Sequence, residues 1–355
     1  MSSMTLLSER PKLLIQPNDP DTRTYLANLG FQPVPAVPLL LYRIVTKSQL
    51  KEIFWQLSNQ LGEMAQSASR FCITQISLDS THLLLEFLKA QPLMSVTNSI
   101  KYAWFLRLLL QQGLFFKYQP IFCLKSGQIT AYECLARALG DRSECYSGGM
   151  LIEAAIATDL SKEFDELART SCIESIGELK SDRQFFINLL PNAIIQNPES
   201  LEQNLQQILD LGLRPEQIIF ELTEVEVLAQ SEKLPQLIER MRAWGFGIAV
   251  DDLCGCVSVD HYAMELRPDI VKLDRRLVQG CSQFTLKQTL IKSLLDSAHS
   301  EGILVLAEGL ETLQDIEFCQ DLGVDFGQGF GLARPEAHLQ HQPFERLDLM
   351  MSTAS

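Results

Sequence analysis

The chain has 355 residues, 46% of them hydrophobic, which is enough for one large domain or two smaller ones around a sizeable core. Acidic residues outnumber basic ones 44 to 30, for a net charge of -14. Such a field repels nucleic acid and anionic lipid, so any anionic ligand must be held by local cations.

The first twenty residues, MSSMTLLSERPKLLIQPNDP, lack the basic start and unbroken apolar run of a signal peptide. The most apolar later stretch, AWFLRLLLQQGLFF, is interrupted by Arg107, Gln111 and Gln112. The expectation is a cytoplasmic protein without membrane insertion. Nine cysteines, scattered singly except for Cys254 and Cys256 and with no CxxC pair, read as reduced thiols rather than a disulfide frame or zinc site.

In chain order, a start punctuated by Pro17, Pro20, Pro33, Pro35 and Pro38 leads to a strand-like LLLYRIV, a helix SQLKEIFWQLSNQLGEM, a strand-like FCITQIS and a helix THLLLEFLKAQ. Residues 1–98 thus read as a small separate α/β module without a cluster of chemically active residues. The amphipathic SIKYAWFLRLLLQQG predicts a connecting helix over 99–114.

From 115 to 345 short apolar runs alternate with longer amphipathic ones: FFKYQPIFCL, QITAYECLARAL, FFINLL, IIFELTE, GIAVDDL, IVKLD, LVLAEG and VDFGQGF, separated mainly by helical segments. That rhythm predicts a parallel sheet wrapped by helices. Gly212, Gly245, Gly302 and Gly323 follow helical segments and suit left-handed helix ends. Seven or eight such units favour a closed (β/α)8 TIM-like barrel over a doubly wound sheet. Residues 346–355 form a tail.

Polar residues fall near the C-terminal ends of the apolar runs: Glu133, Asn188, Glu221, Glu224, Asp251, Asp252, Lys272 and Glu308. In a parallel barrel those ends share one rim. A single acidic residue there is explained as well by capping of the next helix, and that reading stands for Glu224 or Glu311 taken alone. Many carboxylates in one mouth raise one another's pKa unless cations neutralise them. An oxygen-rich set suits a hard divalent ion. The adjacent Asp251 and Asp252 suit two ions, provided that the strand end is twisted or bulged so that both point inward. Two ions clamp a phosphodiester, lower the pKa of a water and stabilise the leaving oxygen. Asn188 adds a neutral oxygen, and Lys272 can orient the water or balance developing charge.

At these residues the chain resembles the EAL-domain family, the cyclic di-GMP phosphodiesterases. The motifs lie in family order over about 98–345: YQPI at 118–121, ECLAR at 133–137, FINL at 186–189, ELTE at 221–224, DD at 251–252, VKLD at 271–274, AEGLET at 307–312 and GQGFGLARP at 327–335. The resemblance implies a barrel whose first strand runs antiparallel to the rest, and hydrolysis of cyclic di-GMP to linear pGpG with two Mg2+ or Mn2+ ions. It implies metal ligation by Glu133, Asn188, Glu221, Asp251 and Asp252, a catalytic Lys272, and metal or water activation by Glu308. Glu224 matches a residue that steadies the loop after the DD strand and Glu311 a carboxylate supporting the rim, while Gln119, Arg137 and Gln328 match contacts in the substrate site. A homodimer through the barrel and a protein partner for the N-terminal module are further expectations. For Arg137 a surface ion pair is the competing explanation.

Two departures stand out. Cys134 replaces the alanine of the namesake motif, a change of one small residue for another. Where the family reads DDFGTGYSS this chain reads DDLCGCVSV, so that Cys254 and Cys256 replace glycines and Val257 a tyrosine. An alternative of another class is therefore a catalytically impaired receptor for cyclic di-GMP, or a protein-interaction module. A thiol switch between Cys254 and Cys256 is a third reading, although a bridge across so short a ring is strained.

Overall fold

The computed structural model describes residues 10–140, 143–223, 233–253 and 266–344, and the side chains of all of these except Asp252. The predicted loop residues Glu224, Cys254, Cys256 and Val257 lie outside that set. The chain divides into two compact units: residues up to Leu110 together with Glu153–Leu160, and Gln111–Ile152 together with the chain from Ser161 onward. No helix among the described residues is long and apolar enough to cross a membrane.

The first unit is built on an antiparallel sheet of β1 (Lys12–Gln16), β2 (Gln32–Val34), β3 (Val37–Ile44), β4 (Arg70–Thr74) and β5 (Gln91–Pro92), in the order β2-β3-β1-β4-β5. Alternation along β1 sends Leu13 and Ile15 to one core with Leu26, Phe54 and Leu57, and Leu14 to a second with Leu40 and Leu83. Both faces of β1 are thus covered. The proline-punctuated start therefore holds more regular structure than its composition predicts. Pro20 occupies the first turn of a helix over Pro20–Asn28, where its missing N–H costs nothing, and Asp19 caps that helix by accepting from the Thr22 N–H at 2.7 Å. The long helix expected at 48–64 is two, Lys47–Gln60 and Glu63–Ala68. The connecting helix expected at 99–114 is likewise divided at Tyr102, between Leu93–Lys101 and Ala103–Gln111.

The second unit holds β6 (Leu114–Cys123), β7 (Ile129–Leu139), β8 (Cys145–Tyr146), β9 (Gln184–Leu189), β10 (Ile218–Leu222), β11 (Gly247–Leu253), β12 (Ile270–Leu273), β13 (Leu304–Ala307) and β14 (Phe326–Gly327). Their order is β6-β14-β13-β12-β11-β10-β9-β7-β8, and β6 also pairs with β7, which closes eight strands into a barrel and leaves β8 outside it. Neighbours from β7 through β9 to β14 are parallel. The first barrel strand, β6, is antiparallel to both of its neighbours. The four glycines predicted to end helices all have positive φ, as at Gly323 with 93°.

Two cores follow from strand alternation. Outward residues such as Tyr132, Phe185, Phe220, Val250 and Val271 pack with Ile173 of the helix Ser161–Leu179, Ile291 of Thr285–Ser300 and Ile316 of Leu313–Leu322. Inward residues form a cluster of their own that contains no helix residue: Ile121, Ala131, Phe186, Ile219, Ala249, Ile270 and Leu306, with Phe326 against them. Each of the eight barrel strands gives one side chain to this layer. It is the apolar floor of the site.

Candidate active site

Because side chains repeat every second residue along a strand, the next inward position rimward of that floor is two residues away. Counting two along each strand from the floor gives Glu133, Asn188, Glu221, Asp251, Lys272, Glu308 and Gln328, and on the reversed β6 it gives Gln119. The eight polar positions are therefore one layer of the barrel, stacked on the apolar layer below. Glu308 and Gln328 stand one residue beyond β13 and β14, where Glu308 N–H still donates to Leu273 O at 3.2 Å.

Lys272 is the hub of this layer. Its Nζ lies 2.6 Å from Glu221 Oε1, 2.5 Å from Glu308 Oε1 and 3.6 Å from Asp251 Oδ1, and the Lys272 and Glu221 side chains are each 1% exposed. Burial alone would lower the lysine pKa, but Asp251, Glu133, Glu221 and Glu308 together raise it well above the usual value, so the ammonium stays charged. Burial pushes Glu221 well above the usual carboxylate range; Lys272 opposes this, and the neighbouring carboxylates add to it. Burial likewise pushes Glu308 up to about 8 against the pull of Lys272. Across the barrel, Gln328 Nε2 donates to Glu133 Oε2 at 2.6 Å.

The donor set fits a hard divalent cation. Glu221, Asp251 and Glu308 each bring a carboxylate oxygen within 4.8 Å of the others. Glu221 Oε2 and Gln328 Oε1 are buried without a hydrogen-bond partner in the structure, a state that is rare unless a ligand or water is to be met. One lysine balances only part of so much negative charge. The register of β11 against β12 shifts between Val250 and Leu253, a local irregularity at the DD pair.

Of the other predicted residues, Gln119 is buried and reaches Ala333 O at 3.4 Å. Glu311 accepts from Arg275 Nη2 at 2.9 Å on the rim. Arg137 donates to its own neighbour, Ala136 O, at 2.8 Å and does not border the cavity. Glu224 lies outside the described residues. The sequence reading passed over Arg275 and Phe330, which border the same cavity as Glu133 and Glu308. Phe330 was visible inside GQGFGLARP, but only the turn at Gly329 and Gly331 shows where its ring goes. Also unforeseen is the buried Asp165, whose Oδ1 accepts from Leu190 N–H at 2.7 Å, two residues past Asn188.

An eight-stranded α/β barrel with a carboxylate-and-lysine layer over an apolar floor is a TIM-like barrel of the kind that builds its active site on one rim. Residues 103–335 match the family model described as the EAL domain, and the chain belongs to that family. It is 29% identical over 215 residues to a probable cyclic di-GMP phosphodiesterase, PdeB of Escherichia coli, covering 60% of this chain and 41% of that protein. It is 25% identical over 215 residues to the blue light- and temperature-regulated antirepressor BluF of Escherichia coli, covering 60% of this chain and 52% of BluF. The chain thus spans about half or less of the length of these curated relatives. Bacillus subtilis YkuI, solved with substrate c-di-GMP and calcium, superposes with a TM-score of 0.59 at 23% identity over 70% of this chain and 62% of YkuI.

Proposed function

We propose that this chain hydrolyses cyclic di-GMP to linear pGpG with two Mg2+ or Mn2+ ions, held by Glu133, Asn188, Glu221, Asp251 and Asp252. The observation that carries the reading is the charged hub: one buried lysine among carboxylates from separate strands, with a buried Glu221 oxygen left unpartnered. The resemblance to PdeB and to YkuI supports the substrate. The cations would supply Lewis-acid polarisation of the phosphodiester and a lowered pKa for the attacking water.

The chain's own groups then have distinct tasks. The Lys272 ammonium faces the negative charge that develops on the phosphoryl oxygens, and in a site that water does not screen this attraction is strong. Glu308, whose pKa burial pushes up to about 8 and whose Oε1 touches Lys272 at 2.5 Å, suits proton exchange with the attacking water. Gln328 fixes the Glu133 carboxylate through one bond and offers its own Oε1 to the ligand. In this reading Gln119 contacts the substrate, Arg137 joins it by turning from Ala136 O toward the cavity, Glu224 steadies the loop after the DD strand, Glu311 supports the rim, and the active form is a homodimer through the barrel.

The test is direct. Purified protein with Mg2+ or Mn2+ converts cyclic di-GMP to pGpG, followed by chromatography, while chelator and Glu133→Gln both abolish product. Binding of the nucleotide with no product at high enzyme concentration defeats the hydrolase reading. That result would establish the second reading, a catalytically impaired receptor, which the altered DDLCGCVSV loop favours; the likeness to the antirepressor BluF favours a protein-interaction module.

A further inference from the structure

Asn188 is an exposed residue near the end of β9, and that strand end is held unevenly. On the β10 side its ladder continues to Leu189, but on the β7 side it stops at Phe186, two residues short of Asn188. The chain then turns at Leu190 into the short helix Pro191–Gln196, which no side chain caps. Pro191 has no N–H, so the Leu190 N–H is the last main-chain donor before that helix. It donates to Asp165 Oδ1 at 2.7 Å. Asp165 is itself gripped: its Oδ2 accepts from Arg169 Nε at 2.9 Å, and Arg169 also donates to Asn204 Oδ1 and, at 3.5 Å, to Ser200 Oγ of the helix Glu199–Asp210. All four side chains are buried. Two helices of the outer layer thus converge on the peptide group between Leu189 and Leu190. Stability alone is a weak reason for such a device, since an apolar pair of the same bulk commonly serves as well as a buried ion pair.

We propose that Asp165 is a positioning residue for Asn188: by pinning the Leu190 N–H it holds the end of β9 in the conformation in which Asn188 ligates the divalent cation. The inference rests on the metal-dependent reading above. A single residue separates Asn188 from Leu190, so rotation of the peptide planes between them swings the Asn188 side chain, while ligand distances tolerate only about 0.2 Å. The place requires a carboxylate. Both oxygens of Asp165 accept, one from Leu190 and one from Arg169, whereas an amide would turn a donor toward one of these donors. Arg169 balances the charge from four residues further along the same helix.

The experiment titrates Mn2+ into the metal-free full chain, followed by loss of the free ion's electron paramagnetic resonance signal, beside turnover of cyclic di-GMP. Wild type is compared with Asp165→Asn, with the apolar pair Asp165→Leu and Arg169→Met, with Asn188→Ala, and with the apolar pair added to Asn188→Ala. Positioning predicts an apparent Kd for Mn2+ raised about ten- to a hundredfold in each of the first three. It predicts no further rise in the last, because the network acts through Asn188. In stability the variants part ways: Asp165→Asn strands the Arg169 charge, whereas the apolar pair removes both charges and melts closer to wild type. A merely structural role would make Mn2+ affinity follow melting temperature. Positioning leaves the apolar pair impaired, because it still lacks an acceptor for the Leu190 N–H. An apolar-pair variant that binds Mn2+ like wild type overturns the proposal, and so does one whose loss adds in full to that of Asn188→Ala. Should the apolar pair not fold, Asp165→Asn, alone and with Asn188→Ala, is read against the same two outcomes. A wild-type chain that binds no Mn2+, or an Asn188→Ala chain that binds it equally well, overturns the proposal together with the metal assignment. If wild type binds Mn2+ but leaves cyclic di-GMP intact, the hydrolase reading alone fails, and the titrations still decide the role of Asp165.

Discussion

Lys272 Nζ and Glu221 Oε1 meet at 2.6 Å inside the barrel, each side chain 1% exposed, from strands that flank β11 on either side. A pair this deep is costly to desolvate and contributes little net stability, but removal of one partner strands the other charge.

Replacing the lysine as Lys272→Met is therefore expected to destabilise the chelator-treated protein by about 3–5 kcal/mol, on the order of 10 °C in melting temperature. Divalent cation then restores much of the loss, because a ligand that binds only the folded state at a hundred times its Kd adds about 2.7 kcal/mol. Thermal denaturation with EDTA and with Mn2+ measures both. An unchanged melting temperature in EDTA would show that the carboxylates do not depend on the lysine.

Arg169 is 1% exposed on the helix Ser161–Leu179 and bonds Asp165 Oδ2 at 2.9 Å, Ser200 Oγ at 3.5 Å and Asn204 Oδ1. Through Asp165 the network holds Leu190 N–H, just past Asn188. Arg169→Met is expected to cost about 3–5 kcal/mol, and Arg169→Met with Asp165→Leu less than the sum of the two single changes. Urea denaturation of the cycle measures the coupling; strict additivity would mean that the two groups act separately.

Asp315 gives a pH dependence of known sign. Burial alone would raise its pKa, but hydrogen bonds from the Ser282 N–H and hydroxyl, the Thr312 hydroxyl and the Gly280 N–H outweigh burial and lower it. A depressed carboxylate adds stability that is present above the unfolded pKa of about 3.9 and is lost as pH falls through the folded pKa. Asp315→Asn should therefore cost about 1.5–3 kcal/mol at pH 6, with the gap to wild type closing as pH drops below about 4. Urea melts at pH 6 and pH 3 compare the two. A gap that stays constant excludes charge as its origin.

Legibility in the sequence followed locality. The barrel strands were readable because short apolar runs alternate with helical segments that end at Gly212, Gly245, Gly302 and Gly323, and each signal lies within a few residues of what it marks. The N-terminal sheet was harder. KLLIQ is covered on both faces and carries no alternation, and the prolines that read as interruptions include Pro20 at a helix start. The long amphipathic stretches hid their breaks at 61–62 and at Tyr102, since hydrophobic periodicity continues across a change of direction.

For the site, the residue types and their places at strand ends were in the sequence, because strand period and chain direction fix which positions reach one rim. Glu133, Glu221, Asp251, Lys272 and Glu308 needed nothing else to be singled out. Only the tertiary structure decided that Ile121, Ala131, Phe186 and their partners form the floor exactly two residues below, that Lys272 pairs with Glu221 rather than lying free, and that Phe330 faces the cavity. Those facts depend on barrel stagger and on a turn seated against residues some twenty positions earlier in the chain. Such contacts between distant segments leave no local trace in the order of amino acids.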